Sequence, residues 1–371
     1  MIKKLLFATA LTIAFSAFNQ EQFIGGGNSQ GVSVSSSSDA KLYEGVFVAS
    51  GENTINGAGS EADQMETVRF LSQATFGADP ELTSYVVDIG IEKWIDEQMA
   101  IQPNYLAPSV NEIFQTTFET FLAEGGDSAD FTTRPNWVHL DYAWWDNTIK
   151  GKDLLRQRMA YALSEIFVIS AESTLAGYGE ALAVYYDILT ENAFGNYREV
   201  LDSVTRNVAM GTYLSHLRNA KTDTVNNTNP DENYAREIMQ LFSIGLYELN
   251  QDGTFKLDGD GNSIPTYNNE DIKEFAKVFT GFGIGGRIDT SEATFTNSIY
   301  IADVTKPMKM WDEQHEPGEK HLLNGYVIPD GQTGDEDISD ALDHLFNHEN
   351  VGPFISIRLI QHFVKSNPTP E

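Results

Sequence analysis

Residues 229–242, NPDENYAREIMQLF, carry the start signals and the apolar spacing of an amphipathic helix. Asn229 is a favoured N-cap residue, Pro230 suits the first helical position, and Glu232 follows the cap by three residues, as in a capping box. Apolar side chains then recur at helical spacing along one broad arc. The segment therefore predicts a helix that is capped by Asn229.

The polar side chains of this predicted helix gather on the opposite face: Asn233, Arg236, Glu237 and Gln240. Periodicity alone favours a solvated polar face. An interior cluster is favoured instead by Ile244, which falls within the polar arc, and by the Asn and Gln residues, which are uncommon choices for solvation. Held by Arg236 or Arg158, Glu237 would form a structural ion pair. Facing a cleft, it would be a candidate general base or metal ligand.

Helical periodicity extends from about residue 61 to the end of the chain. Residues 154–170, LLRQRMAYALSEIFVIS, are apolar on nearly all sides, which predicts a helix buried in a large core. Residues 253–267, GTFKLDGDGNSIPTY, are the exception, because two short strand-like runs flank an Asp/Gly/Asn cluster that is typical of a β-hairpin. We therefore predict a mainly α fold, a multi-helix domain with a small β-hairpin excursion.

Composition restricts the classes of partner. The chain has 371 residues, a hydrophobic fraction of 41% and a formal net charge of −30. Nucleic acids and anionic membranes are polyanions that Lys and Arg must neutralise, so this charge excludes them as expected partners. Because the chain has no cysteine, a lipoprotein anchor, disulfides, zinc–thiolate sites and a cysteine nucleophile are excluded as well.

The N-terminus has the features of a signal peptide. A short basic region precedes an apolar run, and small residues surround a cleavage site near Ala17. We predict a signal peptide over residues 1–17, a Gly/Ser-rich tether over 18–60 and the helical domain over 61–371. The protein would then be periplasmic or secreted, with no membrane association after cleavage. A retained N-terminal anchor is the alternative.

A family resemblance rests on seven segments: RFLSQATFG, GIEKWIDEQM, LRQRMAYALSEIFVIS, NPDENYAREIMQLFSIGLYELNQDGT, NNEDIKEFAKVFTGF, HEPGEKHLLNGYVIPDGQ and LFNHENVGPFISIRLIQHFVKSNPTP. In this order they are similar to the motif blocks of the bacterial "domain of unknown function 1800" family, from about residue 66 to the end. The resemblance implies a secreted, mostly helical protein without an established activity, which accompanies other exported proteins. Because family members usually continue beyond the SNPTP block, the chain looks C-terminally incomplete.

The predicted hairpin contains a candidate calcium site. Asp258, Asp260 and Asn262 alternate as they do at the start of a calcium loop. The EF-hand pattern then fails, because Ser263 stands where Gly is needed and Asn269 stands where the bidentate Glu belongs. A plain hairpin turn explains the same residues, so both interpretations stay open.

The histidines suggest other sites. His344 and His348, with Asp340 a turn earlier, would share a helix face as metal ligands, or would simply suit the dipole of a helix end. His315 lies in a Pro/Gly loop, where functional residues are common, although a surface histidine is the ordinary alternative. His216 is expected to be a packed or capping residue.

Two hypotheses follow from these residues. In the first, the protein is a hydrolase-like enzyme: Glu237 is the base or metal ligand, Arg236 orients it or binds an anionic group, and Asn233 completes the polar wall. His315 would transfer protons and Lys320 would contribute from the same loop. In the second, the protein is a non-catalytic exported scaffold or binding module, and the same residues form a buried hydrogen-bonded network.

Overall fold

The computed structural model describes residues 62–172, 174–286, 294–296, 299 and 303–370. The predicted signal peptide and tether lie outside these residues. The chain divides into two compact units, Met1–Arg69 and Phe70–Glu371. Of the first unit, the structure describes the residues that begin the first helix.

The described residues form thirteen α-helices: α1 (Ala62–Ala74), α2 (Pro80–Ile89), α3 (Ile91–Ala100), α4 (Leu106–Ala123), α5 (Trp137–Lys150), α6 (Leu154–Ser164), α7 (Gly179–Glu191), α8 (Tyr197–Thr205), α9 (Val208–Tyr213), α10 (Asn233–Gln240), α11 (Asn269–Val278), α12 (Gly334–Phe346) and α13 (Val351–Phe363). Two antiparallel pairs of short strands accompany them: β1 (Phe282–Gly283) with β2 (Lys309–Met310), and β3 (Lys320–His321) with β4 (Val327–Ile328). The prediction of a mainly α fold is confirmed.

Helix α10 begins at Asn233, later than predicted. Asn219 holds the preceding loop, because its Oδ1 accepts the backbone N–H of Asp231 at 2.8 Å. The Asp231 carboxylate accepts the backbone N–H of Asn233 at 2.8 Å, which satisfies a free donor at the helix start. The predicted cap at Asn229 and its capping box with Glu232 are therefore wrong.

Helix α10 ends at Gln240, and the chain then reverses at Gly245, whose φ is +70°. The backbone N–H groups of Ile244 and Gly245 both donate to the carbonyl oxygen of Met239, at 3.0 and 2.9 Å. Ile244 is therefore not on the polar face of the helix but lies buried in the core. Leu241, which helical spacing placed on the apolar arc, is exposed.

The buried face of α10 packs into the main core, which elements from α6 to α13 share. Tyr234, Ile238 and Met239 are almost completely buried there. The ring of Phe242 packs 5.1 Å from that of Phe167, measured between centroids. Burial of each such side chain contributes roughly 1.5–3 kcal/mol, so this face fixes the position of α10.

Helix α6 ends at Ser164 rather than at Ser170. The chain turns after it, yet Phe167 stays fully buried, and its carbonyl oxygen accepts a hydrogen bond from the hydroxyl of Tyr185 at 2.6 Å. Much of the segment is therefore buried as predicted, although Val168 is exposed, and its helical length was overestimated. Apolar residues on all sides indicate burial but not where a helix stops.

The predicted hairpin is present as a set of antiparallel bridges, Leu257 with Ser263, Leu249 with Phe255 and Tyr247 with Pro265. Three backbone hydrogen bonds connect the short runs in a cycle: Lys256 N–H to Glu248 O, Glu248 N–H to Ile264 O, and Ile264 N–H to Lys256 O. We call residues 246–267 the hairpin excursion. Its turn is tightened by Gly261, whose φ is +84°.

No helix within the described residues is both long and apolar enough to cross a membrane.

Candidate functional site

The exposed side of α10 carries three of the predicted site residues. Asn233 is exposed and donates from Nδ2 to the hydroxyl of Ser215 at 3.3 Å. Arg236 pairs with Glu232 one turn earlier, with Nη2 3.4 Å from Oε2, and both side chains are well exposed. An exposed pair of this kind contributes roughly 0.3–0.5 kcal/mol, so Arg236 is free to exchange this contact for another.

Glu237 is partly buried beside Arg236. Its Oε2 is shielded from solvent and has no hydrogen-bond partner among the residues that the structure describes. Burial raises the pKa of Glu237, and the charge of Arg236 opposes that rise only in part. Arg158, the other expected partner, donates instead to the carbonyl oxygens of Gln73 and His362, at 3.2 and 2.8 Å.

Tyr267, at the end of the hairpin excursion, completes this polar surface. Its hydroxyl donates to Oε1 of Gln240 at 3.1 Å. Burial raises the pKa of Tyr267, the charge of Arg236 lowers it and that of Glu237 raises it, so the phenol lies within electrostatic reach of both. We call Arg236, Glu237, Gln240 and Tyr267 the α10 polar face. Nothing in the sequence indicated that Tyr267 belongs to it.

His315 and Lys320 lie in a second, buried group centred on Asp337 of α12. The Nε2 atom of His315 is 2.9 Å from Oδ2 of Asp337, and the Nζ atom of Lys320 is 2.5 Å from the same oxygen. The Nδ1 atom of His315 lies 3.0 Å from the carbonyl oxygen of Thr280, just after α11. His315, Lys320 and Asp337 are 6%, 3% and 0% exposed. We call these four residues the Asp337 network.

The electrostatics of the Asp337 network favour the ionised carboxylate. Burial alone would raise the pKa of Asp337, but the hydrogen bonds from His315 and Lys320 and the positive charge of Lys320 outweigh burial and lower it. The position of Asp337 in the first turn of α12 adds the positive end of the helix dipole. Its Oδ1 is buried without a partner among the described residues.

The two groups are separate. Within the described part of the chain, no hydrogen bond or ion pair joins Asn233, Arg236 or Glu237 to His315 or Lys320. The two groups are also anchored in different elements, α10 and the hairpin excursion for one, and β3, α12 and the loop before β3 for the other. The predicted contribution of His315 and Lys320 to a site at Glu237 gains no support from this geometry.

Asp337 was missed in the sequence, although a signal for it exists. Ile338, Ala341, Leu342 and Leu345 mark the buried face of α12, and Asp337 precedes Ala341 by one turn. A carboxylate at that spacing is expected to need a buried cationic partner. Thr333 and Glu336 form a capping box at the start of this helix. The acidic residues around Asp337 therefore look like an ordinary helix start, and the pattern does not single out Asp337 as buried.

The residues of the predicted calcium site form the turn of the hairpin excursion. Oδ1 of Asp258 accepts the backbone N–H groups of Asp260 and Asn262, both at 2.9 Å. The backbone hydrogen bond from Asn262 is the main reason that the pKa of Asp258 is lowered. These hydrogen bonds within the turn explain why Asp, Gly and Asn occur there.

The predicted metal-binding pair, His344 and His348, also makes hydrogen bonds to nearby backbone groups. Nε2 of His344 lies 2.9 Å from the carbonyl oxygen of Leu323, and Nδ1 of His348 accepts the backbone N–H of Asn350 at 3.2 Å. Among the residues that the structure describes, no group of three or more His, Cys, Asp or Glu side chains is placed to hold a metal ion. His216 is packed, as predicted, with its ring stacked 3.8 Å from that of Tyr234.

Comparison with known proteins places this helical fold in a class without an assigned activity. The family model described as "Protein of unknown function (DUF1800)" matches residues 69–371. The chain therefore belongs to this family. No curated protein and no solved structure matches it.

Proposed function

We propose that this chain is an exported, non-catalytic scaffold or binding module. The observation that carries the proposal is the enclosure of His315 and Lys320, which are 6% and 3% exposed and share one carboxylate oxygen of Asp337. A general base or acid must come within hydrogen-bond reach of the substrate proton. Side chains so enclosed and already bound to a carboxylate support packing instead.

The Asp337 network connects three parts of the second unit. Thr280 follows α11, His315 and Lys320 lie in and after the loop that precedes β3, and Asp337 lies in α12. Breaking a buried pair by removing one partner typically costs about 3–5 kcal/mol, because a charge is left uncompensated. The network therefore fixes the relative positions of these segments, which a rigid binding surface requires.

Export is supported by the N-terminal sequence, and the net charge restricts the partners. A basic region followed by an apolar run precedes a Gly/Ser-rich segment, which is the order found in exported proteins. The net charge of −30 disfavours polyanionic partners and leaves proteins and neutral or cationic ligands as expected partners.

A hydrolase-like activity at the α10 polar face is the second candidate. It is favoured by Glu237, whose Oε2 is shielded and has no hydrogen-bond partner in the described part of the chain, and whose pKa is raised by burial. A carboxyl group with a raised pKa is better suited to proton transfer than an unperturbed one. Arg236 would then orient Glu237 or bind an anionic group, and Asn233 would complete the polar wall, as the sequence suggested, without His315 and Lys320.

A hydrolysis screen separates the two candidates. The purified full chain is tested on chromogenic esters, phosphate esters, glycosides and peptides, beside Glu237→Gln as the matched variant. The proposal predicts no turnover by the wild type above that of Glu237→Gln. Turnover that the folded Glu237→Gln variant loses would establish the second candidate instead.

A further inference from the structure

The hairpin excursion presents an apolar surface to solvent. Phe255 and Leu257 are 56% and 57% exposed, and Tyr247, whose ring contacts Phe255, is also exposed. Phe255 and Leu257 are two residues apart in an extended run, so both side chains lie on the same side of it. The ring of Tyr247 packs edge-on against that of Phe255, with centroids 5.7 Å apart. We call Tyr247, Phe255 and Leu257 the hairpin patch.

The backbone beneath the hairpin patch is held in place. Asn350 is buried and makes three hydrogen bonds to it, accepting the N–H of Leu249 at 2.7 Å and donating to the carbonyl oxygens of Ile244 and Tyr247 at 2.7 and 2.8 Å. The bridges of the hairpin excursion complete this support. The hairpin patch is thus pre-organised, which lowers the entropic cost of binding a partner.

Carboxylates surround the hairpin patch. Asp252, Asp258 and Asp260 are exposed in the two turns next to Phe255 and Leu257. The cation between them, Lys256, is already paired with Glu248 and Glu349, at 3.4 and 3.2 Å. The charge around the apolar side chains is therefore negative, and the complementary surface is apolar and positively charged.

We propose that the hairpin patch docks a segment of another exported protein in which apolar side chains alternate with Lys or Arg. The inference rests on the proposed function as a binding module and names its surface and the chemistry of its partner. Aromatic and large apolar side chains at the centre of a patch supply most of the affinity, and the surrounding carboxylates steer the basic residues. Burying clustered apolar side chains that otherwise face water favours the complex.

The test measures binding of a fluorescent peptide of alternating Leu and Lys to the purified full chain, with a Leu/Glu peptide of the same length as the second probe. The double variant Phe255→Ser/Leu257→Ser removes the centre of the hairpin patch. Its matched control is Tyr142→Ser/Ile149→Ser on α5, where the two side chains are 58% and 75% exposed. Both variants lose two exposed apolar side chains and keep the charge of −30.

We expect the Leu/Lys peptide to bind the wild type and the α5 control equally, and Phe255→Ser/Leu257→Ser at least about tenfold more weakly. Asp260→Lys, which leaves the apolar side chains in place, should weaken binding as well, and added salt should reduce the difference. Equal loss in both double variants, equal binding of the Leu/Glu peptide, or no binding at all would overturn the inference. So would self-association of the wild type, seen by sedimentation, that Phe255→Ser/Leu257→Ser abolishes.

A negative result for the hairpin patch can be distinguished from a negative result for the proposed function. Absence of specific peptide binding removes the hairpin patch as the docking surface but leaves the hydrolysis screen unchanged. Turnover that depends on Glu237 removes the non-catalytic assignment, whatever the peptide does.

Discussion

Asn350, at the start of α13, donates from Nδ2 to the carbonyl oxygen of Tyr247 at 2.8 Å, and so joins two segments that lie far apart in the sequence. The same amide group bonds Ile244 and Leu249. Asn350 is fully buried, and without its side chain all three backbone groups would lose these hydrogen bonds. The reversal of the chain after α10 is thus supported by one side chain from α13.

Asn350→Ala should therefore destabilise the protein by about 2–4 kcal/mol, since a buried group that loses its partner costs roughly 1–3 kcal/mol. Urea unfolding measures this loss. Asn347→Ala is the matched control, because Asn347 is exposed and, among the described residues, its side chain bonds only the carbonyl oxygen of Asp343 one turn earlier. Equal stabilities of the two variants would contradict the assigned role of Asn350.

We expect any side chain at Gly245 to destabilise the protein, because of the backbone conformation there. Its φ of +70° is unfavourable for residues with a Cβ, and a Cβ there would lie 2.6 Å from the ring of Phe354. Gly245→Ala should lower the free energy of unfolding by about 1–2 kcal/mol. Gly259→Ala, where a Cβ has nothing within 4 Å, should have a smaller effect. A Gly259→Ala variant as unstable as Gly245→Ala would contradict this account.

His216 should make stability depend on pH. Burial lowers the pKa of His216 to about 4, from 6.5. The stabilisation from its neutral, stacked ring is present above pH 6.5 and is lost as the pH falls towards 4, because the unfolded chain then binds the proton. Relative to His216→Phe, the free energy of unfolding of the wild type should fall by about 3 kcal/mol between pH 6.5 and pH 4. Urea unfolding at several pH values measures the difference, and a constant difference would show that the ring does not titrate in this way.

Glu237→Gln should leave the protein as stable as the wild type, or more stable, at pH 7. Burial raises the pKa of Glu237, so its contribution to stability is present below the unfolded pKa and is lost as the pH rises through the folded pKa. The neutral amide avoids the unfavourable ionised state. Thermal unfolding followed by circular dichroism measures the effect, and a clear loss of stability would show that the carboxylate makes a stabilising bond.

Much of the fold could be predicted from local sequence. Gly90, with φ +88°, separates α2 from α3, and a glycine inside a helical pattern is a local signal for such a break. The Asp/Gly/Asn cluster correctly predicted the hairpin turn, because turn chemistry is local. Much of the burial of residues 154–170 was also predicted, since an apolar surface on most sides favours it, although Val168 is exposed.

Helix ends and the candidate site could not be predicted in the same way. Continuing the helical period to Ile244 assigned it to the polar face, but tertiary contacts from Asn350 and the reversal at Gly245 end the helix first. Asp337 follows His315 by more than twenty residues in the sequence, so their contact depends on packing that helical periodicity does not encode. Pattern-based interpretation therefore grouped His315 with Glu237, which is anchored elsewhere.

The most direct test of the central claim, that the Asp337 network is structural, is the free energy of unfolding of Asp337→Asn at pH 7, measured in urea beside Asp335→Asn. Asp335 lies in the same helical turn but is exposed, and its pair with Arg206 is a surface contact. We predict a loss of about 3 kcal/mol or more for Asp337→Asn and less than about 1 kcal/mol for Asp335→Asn. Because the pKa of Asp337 is lowered, the loss should be complete above its unfolded pKa of 3.8 and should shrink as the pH falls through the folded pKa. An Asp337→Asn variant as stable as Asp335→Asn at pH 7 would contradict the account.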